Sequence, residues 1–358
     1  MRLSSRLYWD AAENAIAKRG KAAFDLTETN PTRAGFVYPS ALIEALADPL
    51  VLQYDPDPRG LAAVRELVGA DLLTASSSES YSYLFKLLCD AGDEVLVPRP
   101  SYPLFEYLAR LDCVTVRQYP LFYDHGWHVD TGALRAMVSP RTRAVVVVNP
   151  NNPTGSFLKR SEWDVLEEIG LPVIADEVFA SYPLVAGDRI ECVASLDSRL
   201  LRFSLGGLSK QAGLPQMKLG WIRIGGCAAR DEALRGLEWI ADTYLSVSAP
   251  VQRAAHVLLS SSIHGQILER IRSNRALVPE ALVVEGGWSV MLRLPAVRTE
   301  DEWVANLFDC GVSVQPGYFF DMDSHAPHIV LSLLTPSEVF QEGLRRIRSA
   351  CKILDSHS

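Results

Sequence analysis

One lysine, Lys210, stands in a stretch rich in glycine and serine, SLGGLSKQAGLPQMKLGW, which covers residues 204–221. It follows a short apolar run, 200–203, that predicts the end of a buried strand. Glycine and serine let a backbone turn tightly and present bare N–H groups to an anion. Because open α/β sheets bind ligands beyond the carboxyl ends of their strands, this lysine could hold a phosphate or form a Schiff base with an aldehyde cofactor. A solvated loop lysine is the simpler alternative.

Polar side chains also occur at two other predicted strand ends. The segment NPNNPTG, 149–155, follows a run of four valines, and its prolines and glycine fix a turn that offers the Asn152 amide to a phenolate or carboxylate oxygen. Asp176 follows the run PVIA, where burial raises the pKa of a carboxyl unless a cation or hydrogen-bond donors keep it ionised. A surface turn and a helix N-cap are the simpler roles for these two residues.

Two further stretches could contact an anion or a flat ring. TASSSE, 74–79, lies between a predicted strand and a helix predicted over 79–90. Small hydroxyl residues at a helix N-terminus, with free N–H groups and the positive end of the helix dipole, are typical of an anion site, although Ser77 or Ser78 could equally cap the helix. The segment PSYP places Tyr102 at another strand-end turn, where it could stack on a planar ring or simply pack.

Composition limits the class of protein. The chain has 358 residues, 48% hydrophobic and 22% charged, which is enough for two domains with a large core. The net charge of -8 argues against a nucleic-acid partner, and no apolar run approaches the ~20 residues of a membrane span. The six cysteines include no CxxC pair, so we expect neither disulfides nor a metal site. Because the N-terminus also lacks the apolar core of a signal peptide, we expect a cytoplasmic enzyme.

Apolar runs alternate with helical segments along most of the chain. Seven of them are predicted strands that indicate a mostly parallel sheet covered on both faces: 72–75, 94–97, 114–119, 144–148, 172–175, 200–203 and 219–224. After residue 230 comes a long helical stretch interrupted at Pro250. Beyond it we expect strands at 281–285, 289–294, 312–315 and 328–333, and helices at 300–309 and 336–353. The expected fold is therefore α/β, with a large domain over 36–240 and a smaller α+β domain formed by 241–358 and 1–35, a short helix and an irregular arm.

The motifs NPNNPTG, ADEVF and SKQAGLPQMKLGW, in this order, resemble the class I/II aminotransferases among the fold-type I pyridoxal-5'-phosphate (PLP) enzymes. The resemblance covers nearly the whole chain, and it implies PLP as cofactor and a homodimer whose active sites lie at the subunit interface. The implied activity moves an amino group between an amino acid or amine and a 2-oxo acid. A PLP lyase or decarboxylase on the same scaffold is the nearest alternative, because a fold does not fix a reaction. A PLP-sensing regulatory module is a third, disfavoured because no helix-turn-helix is appended and Lys210 is kept.

The resemblance implies a role for each matched residue. Lys210 would bind PLP as an internal aldimine and shuttle a proton, Asp176 would pair with the pyridine nitrogen, and Asn152 would bond the ring oxygen O3'. The other implied cofactor contacts are a stacking ring, donors to the phosphate, and a tyrosine that reaches the phosphate of the neighbouring subunit: Tyr102, Ser77, Ser78, Ser209, Lys218 and Tyr54. Four further residues are candidates for the substrate side: Thr29, Asn30, Trp288 and Tyr318.

Three positions near the motifs depart from the family's pattern. Gly207 stands where a serine is usual, three residues before the lysine. Lys218 stands where an arginine is usual, so the charge is kept but the bidentate fork of a guanidinium is lost. Phe179 stands where a tyrosine would donate to O3', and Tyr182 is the residue that could supply this donor instead.

A fourth departure concerns the substrate. In the C-terminal run HIVLSLL, Val330 stands where the family has the arginine that grips the substrate α-carboxylate. A carboxylate desolvated without a partner is strongly disfavoured. We therefore expect either that another cation is recruited, with Arg33 and Arg293 as candidates, or that the preferred substrate places no carboxylate there.

Overall fold

The structure, a computed structural model, describes residues 4–7, 20–226, 228–322 and 326–355. A short helix is expected within residues 1–35, and residues 1–3 and 8–19 of this stretch lie outside the described residues. The described chain is α/β, with one large sheet flanked by helices and a smaller α+β part. Within these ranges no helix combines the length and the apolar character that a bilayer crossing requires.

Strands and helices alternate along the chain. The strands of the described part are β1 Phe24–Asp25, β2 Leu72–Thr74, β3 Glu94–Arg99, β4 Thr115–Tyr123, β5 Trp127–Val129, β6 Thr142–Val148, β7 Val173–Asp176, β8 Arg202–Gly207, β9 Gly220–Gly225, β10 Ser289–Arg293, β11 Val312–Ser313, β12 Gln315–Pro316 and β13 His328–Ser332. The α-helices are α1 Ala41–Glu44, α2 Ala62–Val68, α3 Ser77–Leu88, α4 Phe105–Leu111, α5 Thr131–Met137, α6 Arg160–Ile169, α7 Leu208–Gln211, α8 Arg230–Tyr244, α9 Ala249–Leu259, α10 Ile263–Ala276, α11 Glu300–Asp309 and α12 Ser337–Asp355.

Eight strands form the large sheet, in the order β2-β9-β8-β7-β6-β3-β4-β5. The pairings from β8 through β7, β6 and β3 to β4 are parallel, whereas β9 is antiparallel to both β8 and β2. Residues 144–147 of β6 are at most 4% exposed, because helices cover both faces of a parallel sheet. The prediction of seven strands is one too few. The eighth, β5, is an antiparallel edge strand of three residues, too short to give an alternating pattern.

The smaller part of the chain carries two short sheets. β10, β13 and β12 form an antiparallel sheet, and β1 pairs in parallel with β11. The β1 pairing joins the N-terminal segment to the C-terminal third of the chain. Apolar side chains from α10, β13 and α12 are fully buried together, among them Ile267, Ile329 and Phe340. The same cluster includes Leu26, which follows β1, so the N-terminal segment shares this core with α12.

Several of the expected elements differ from the structure, and the strand expected at 312–315 is divided into β11 and β12. No strand covers 281–285, and Gly286 makes only an isolated bridge to Pro183. The long helical stretch is not interrupted at Pro250 but before it, at Leu245, which has a left-handed φ of 44° and ends α8. Pro250 instead lies in the first turn of α9, where the N–H that proline lacks has no partner within the helix.

Candidate active site

The large sheet brings the predicted site segments to one edge. β2, β8, β7, β6 and β3 end at this edge, and the antiparallel strand β9 begins there. Thr74 pairs with Gly220, which in turn pairs with Gly207. On β7, the strand next to β8, Asp176 pairs with Leu205 of β8 and with Val148 of β6. The turns that follow these strands therefore meet, as expected for a ligand site in an open α/β sheet.

Two glycines allow the strands at this edge to approach closely. A Cβ on Gly220 would lie 2.9 Å from the hydroxyl oxygen of Thr74, and one on Gly206 would lie 2.2 Å from Nε1 of Trp221. A larger residue at either position would force β9 away from its neighbours. These two glycines of the Lys210 stretch therefore serve the packing of the sheet.

Lys210 lies in α7, which directly follows β8. Its Nζ is 5.1 Å from the centre of the Trp288 ring and 5.4 Å from that of Phe179. Burial lowers the pKa of Lys210, while the negative charge of Asp176 opposes the shift. Since only a neutral amine attacks a carbonyl carbon, a lowered pKa favours the nucleophilic form of Lys210.

Tyr182 holds the main chain of this lysine. Its hydroxyl donates a hydrogen bond to the main-chain oxygen of Lys210 at 2.7 Å, and its ring centre lies 5.3 Å from that of Trp288 and 4.8 Å from that of His264. The hydroxyl proton is therefore engaged by the main chain. From the sequence, Tyr182 is a possible donor to the cofactor oxygen O3', in place of the tyrosine missing at Phe179. Because its proton is already donated, Tyr182 is not available for that role.

Asp176, at the end of β7, has a hydrogen-bond donor on each carboxylate oxygen. The hydroxyl of Tyr81 donates to Oδ2 at 3.1 Å, and the N–H of Val178 donates to Oδ1 at 3.2 Å. Burial raises the pKa of Asp176, whereas Val178, Tyr81 and the charge of Lys210 lower it. A carboxylate in this position suits a cationic partner. Tyr81 was not among the site residues predicted from the sequence. The local feature that could have indicated it is a polar hydroxyl on the apolar face of α3.

Asn152 lies in the turn after β6, and its side chain is oriented by a residue from the smaller part of the chain. The hydroxyl of Ser289 donates to Asn152 Oδ1 at 3.2 Å, so the amide presents Nδ2 as its donor. The buried Asn151 ties this turn to the one after β3, because its Nδ2 donates to the Pro100 oxygen at 2.9 Å and its Oδ1 accepts from Ser101 at 3.0 Å. No local pattern in the sequence pointed to Ser289.

The N-terminus of α3 is a suitable anion site. The helix begins at Ser77, not at residue 79 as expected, and Ser76 is its N-cap. The Glu79 N–H donates to Ser76 Oγ at 3.2 Å, while the Glu79 carboxylate accepts from the Ala75 N–H at 2.6 Å. This reciprocal cap satisfies the flanking donors but leaves the N–H groups of Ser77 and Ser78 for an anion.

Four of the predicted cofactor residues have more exposed side chains. Ser209 precedes the lysine in α7 and is half-buried. Lys218 is exposed at the end of a 3-10 helix, with a left-handed φ of 52°. Tyr102 is 52% exposed in the turn before α4, and Tyr54 is 82% exposed in the loop before α2. Both tyrosine rings are therefore accessible to a ligand or to a second chain.

The predicted substrate residues lie in different surroundings. Trp288 is buried and lies beside the lysine, as described above. Tyr318 lies in a 3-10 helix after β12, and its hydroxyl donates to Asp301 Oδ1 at 2.8 Å. The other two share the segment between β1 and the next 3-10 helix: Thr29 and Asn30. Ser289, the residue after Trp288, contacts the site residue Asn152.

Val330 lies in the middle of β13, between β10 and β12. It pairs with Met291 and Gln315 and is 2% exposed. Its side chain belongs to an apolar cluster with Met291, Trp127 and Phe320. The two arginines expected as replacement cations are both exposed: Arg293 on β10 and Arg33 in the N-terminal segment.

Known proteins match this chain in sequence. The family model for aminotransferase class I and II matches residues 62–347. The tyrosine aminotransferase of Dictyostelium discoideum is 31% identical over 193 residues, which are 52% of this chain and 45% of that protein. The glutamate-pyruvate aminotransferase AlaA of Escherichia coli K12 is 28% identical over 266 residues, 68% of this chain and 65% of that protein. The matched part of the chain thus spans less than two thirds of either relative.

Solved structures match the fold over almost its full length. Alanine aminotransferase from Pyrococcus furiosus superposes with a TM-score of 0.84 and 23% identity, covering 98% of this chain and 100% of that one. Tyrosine aminotransferase from Leishmania infantum gives a TM-score of 0.82 and 24% identity, covering 93% and 92%. These likenesses show the fold-type I architecture that the sequence predicted. Because the family model matches most of the chain, the protein belongs to the class I and II aminotransferase family.

Proposed function

We propose that this protein is a PLP-dependent aminotransferase that moves an amino group between an amino acid or amine and a 2-oxo acid. The observation that carries the proposal is the buried amine of Lys210 at the sheet edge, with its pKa lowered by burial and the carboxylate of Asp176 nearby. The matched family and the relatives are aminotransferases, which supports transamination over lyase or decarboxylase chemistry.

The groups at the sheet edge fit PLP. Its aldehyde requires an amine, which Lys210 supplies, and its pyridine nitrogen requires an anion, which Asp176 supplies. The Nδ2 of Asn152 is a donor for the ring oxygen, because Ser289 occupies the other end of the amide. The N–H groups at the start of α3 suit the phosphate. The remaining contacts are assigned as predicted from the sequence. Tyr102 stacks on the ring face, and Tyr54 reaches the phosphate in the neighbouring subunit. The residues assigned to the phosphate of the same subunit are Ser77, Ser78, Ser209 and Lys218.

When bound, PLP supplies an electron sink that stabilises negative charge at the substrate Cα. The residues of the chain prepare and serve this chemistry. Lys210 Nζ would hold the cofactor, and as a neutral amine it would accept the substrate Cα proton. Asp176 would pair with the pyridine nitrogen, and Asn152 would orient the ring. The rings of Phe179 and Trp288 exclude water from the lysine amine.

We also propose a homodimer with shared active sites. Large apolar side chains are exposed along the segment that precedes α2 and at the end of α8: Val37, Ile43, Leu52, Tyr54, Trp239 and Tyr244. Such an accumulation on a monomer marks an interaction surface. We expect light scattering to give a dimer for the wild type and a monomer with weaker PLP binding for Leu52→Asp. A monomeric wild type that binds PLP tightly would contradict the shared site.

For the domains we propose the division expected from the sequence, a large unit over 36–240 and a small one formed by 1–35 and 241–358. The pairing of β1 with β11 supports it, since it links the N-terminal segment to the C-terminal unit. Limited proteolysis of the holoprotein, with the products identified by mass, tests the division. Early cleavage within a sheet strand, instead of in residues 245–248 between α8 and α9, would argue against it.

A spectroscopic screen tests the proposed function. The protein is reconstituted with PLP and mixed with single amino donors, while the visible band of the Lys210-bound cofactor is recorded. We expect a donor that bleaches this band, releases pyridoxamine phosphate on denaturation, and allows a 2-oxo acid to restore the band. Lys210→Ala should be inactive, and Asp176→Ala should lose more than about tenfold in rate, equivalent to ~1.4 kcal/mol.

Two results would contradict this function. Full turnover by Lys210→Ala would remove the lysine from the mechanism. Release of CO2 or elimination of a substituent, without any pyridoxamine phosphate, would favour the decarboxylase or lyase alternative. An Asp176→Ala variant within about tenfold of the wild-type rate would refute only the role given to that carboxylate.

A further inference from the structure

The hydroxyl of Tyr81 is bonded to the side chain that ends β7. Tyr81 lies in the first half of α3, is 1% exposed, and packs its ring against Phe85 and Phe105 with centroid distances of 5.9 and 5.4 Å. Its hydroxyl donates to Asp176 Oδ2 at 3.1 Å. Among the described residues this is the one hydrogen bond found for that hydroxyl. A phenylalanine would fill the same apolar space, so packing does not require the oxygen.

We propose that Tyr81 is the positioning residue of Asp176, orienting this carboxylate and helping to keep it ionised for the pyridine nitrogen of the cofactor. The inference rests on the proposed function, because it concerns the residue that would pair with PLP. A buried hydroxyl without a partner is unfavourable, and a hydrogen bond to a charged acceptor is stronger than one to a neutral acceptor. The bond therefore favours the charged form of the carboxylate.

The groups that face Asp176 come from three elements. Tyr81 approaches from α3, Lys210 from α7, and Val178 from the chain directly after β7. Burial and the neighbouring carboxylate raise the pKa of Tyr81 well above its usual value, so the phenol remains a donor at any working pH. The Lys210 charge also favours the carboxylate. Tyr81 and the Val178 N–H act together with it to oppose the effect of burial on the pKa of Asp176.

The position of Tyr81 on α3 links two parts of the cofactor site. The N–H groups of Ser77 and Ser78 begin this helix, and Tyr81 follows one turn later, about 6 Å along the axis at 1.5 Å per residue. One rigid helix thus sets the distance between the phosphate site and the carboxylate at the sheet edge. A displacement of α3 would change both contacts together.

The test is the pH dependence of PLP binding by the full chain. The dissociation constant of PLP is measured from the visible band between acid and neutral pH for the wild type, Tyr81→Phe and Tyr119→Phe. Tyr119 is a matched control, because its buried hydroxyl donates to the Val146 oxygen at 2.8 Å and not to Asp176. In Tyr81→Phe we expect the loss of affinity on the acid side to begin about one pH unit higher, the effect of one hydrogen bond to a charged group. The control should keep the wild-type profile.

Asp176→Asn provides a second measurement, in a variant that keeps Tyr81. This variant should lose the acid-side transition, and adding Tyr81→Phe to it should change PLP affinity by less than twofold. Identical acid-side profiles for Tyr81→Phe and the wild type, or an equal shift in Tyr119→Phe, would overturn the inference. If the wild type formed no visible band with PLP, or if the band persisted in Lys210→Ala, the proposed function itself would fail.

Discussion

The hydroxyl of Tyr182 donates to the main-chain oxygen of Lys210 at 2.7 Å, so the turn that carries the lysine is tied to the chain after β7. Tyr182 is fully buried, and its ring contacts Trp288, one of the two rings beside the lysine amine. One tyrosine therefore supports both the backbone of Lys210 and the aromatic wall next to its side chain.

We expect Tyr182→Phe to destabilise the protein by about 0.5–1.5 kcal/mol, because the carbonyl of Lys210 loses one hydrogen bond and keeps the one that the Gly213 N–H donates at 3.2 Å. The free energy of unfolding in urea measures this. Tyr38→Phe is the matched control, since its hydroxyl donates to the Gly213 oxygen at 2.8 Å. We expect a similar loss of stability in the control but weaker PLP binding only in Tyr182→Phe. Equal PLP affinity in both variants would show that the bond to Lys210 does not support the cofactor site.

Phe179→Tyr tests the missing donor near the cofactor ring oxygen. Phe179 is buried, with its ring edge-on to Trp288 at a centroid distance of 5.2 Å, and Tyr182 does not replace the missing hydroxyl. A new phenol would stabilise the negative ring oxygen and so weaken the hold on the proton shared with the Lys210 nitrogen. We expect the pH midpoint of the visible band to be lower in Phe179→Tyr than in the wild type. Equal midpoints would mean that the hydroxyl does not reach the ring oxygen.

Glu177, next to Asp176, makes the stability of the fold depend on pH. It is 9% exposed, and burial raises its pKa from 4.5 to about 7 although the Val193 N–H donates to its carboxylate. The folded protein therefore binds this proton more tightly than the unfolded chain does. The contribution of Glu177 to stability is greatest at acid pH and falls as the pH rises from about 4.5 to about 7.

Glu177→Gln should remove this dependence. We expect the free energy of unfolding of the variant, relative to the wild type, to increase between acid and neutral pH by up to about 3 kcal/mol, at ~1.4 kcal/mol for each pKa unit. Urea unfolding at several pH values measures the difference. Glu106→Gln, at an exposed position of α4, is the control and should show no such trend. A difference that shrinks with rising pH would refute the assignment.

Val330 bears on substrate choice. Its side chain lies in an apolar cluster and offers no charge to a carboxylate, so we expect aspartate and glutamate to be poor donors for the wild type. Val330→Arg should improve them only at a loss of stability, because the guanidinium would be placed against Trp127 and Phe320. Single-turnover kinetics with a panel of donors, together with urea unfolding of the variant, measure both effects.

The arginine variants supply the control for this substrate prediction. Arg33→Ala and Arg293→Ala remove the two cations that could replace the missing guanidinium. If the wild type is slow with glutamate, neither variant should change the rate by more than about threefold, the scale of a surface charge. Fast transamination of glutamate that survives in both variants would show that Val330 does not occupy the carboxylate position.

The α/β class, seven of the eight strands in the large sheet, and the segments that bring polar groups to the sheet edge were all predictable from the amino-acid sequence. These features are local. Each local pattern predicts the same structure wherever it occurs in a chain. Examples are a run of valines, the turn that prolines fix in NPNNPTG, and small residues at the start of a helix. Two errors in strand prediction have the same origin, because only local patterns were available. β5 has three residues and is too short to show an alternating pattern, whereas the segment 281–285 has the apolar pattern of a strand but forms none.

The hydrogen-bond donors that reach the site residues could be identified only in the folded chain. Tyr81 and Asp176 are 95 positions apart in the chain, and Ser289 and Asn152 are 137 apart. Whether a buried hydroxyl reaches a carboxylate or an amide depends on where a helix packs against the sheet, which is set by many weak apolar contacts at once. No single residue type or spacing encodes that placement, and the pKa values of Asp176 and Lys210 follow from it, because burial and distance between charges exist only in the folded chain.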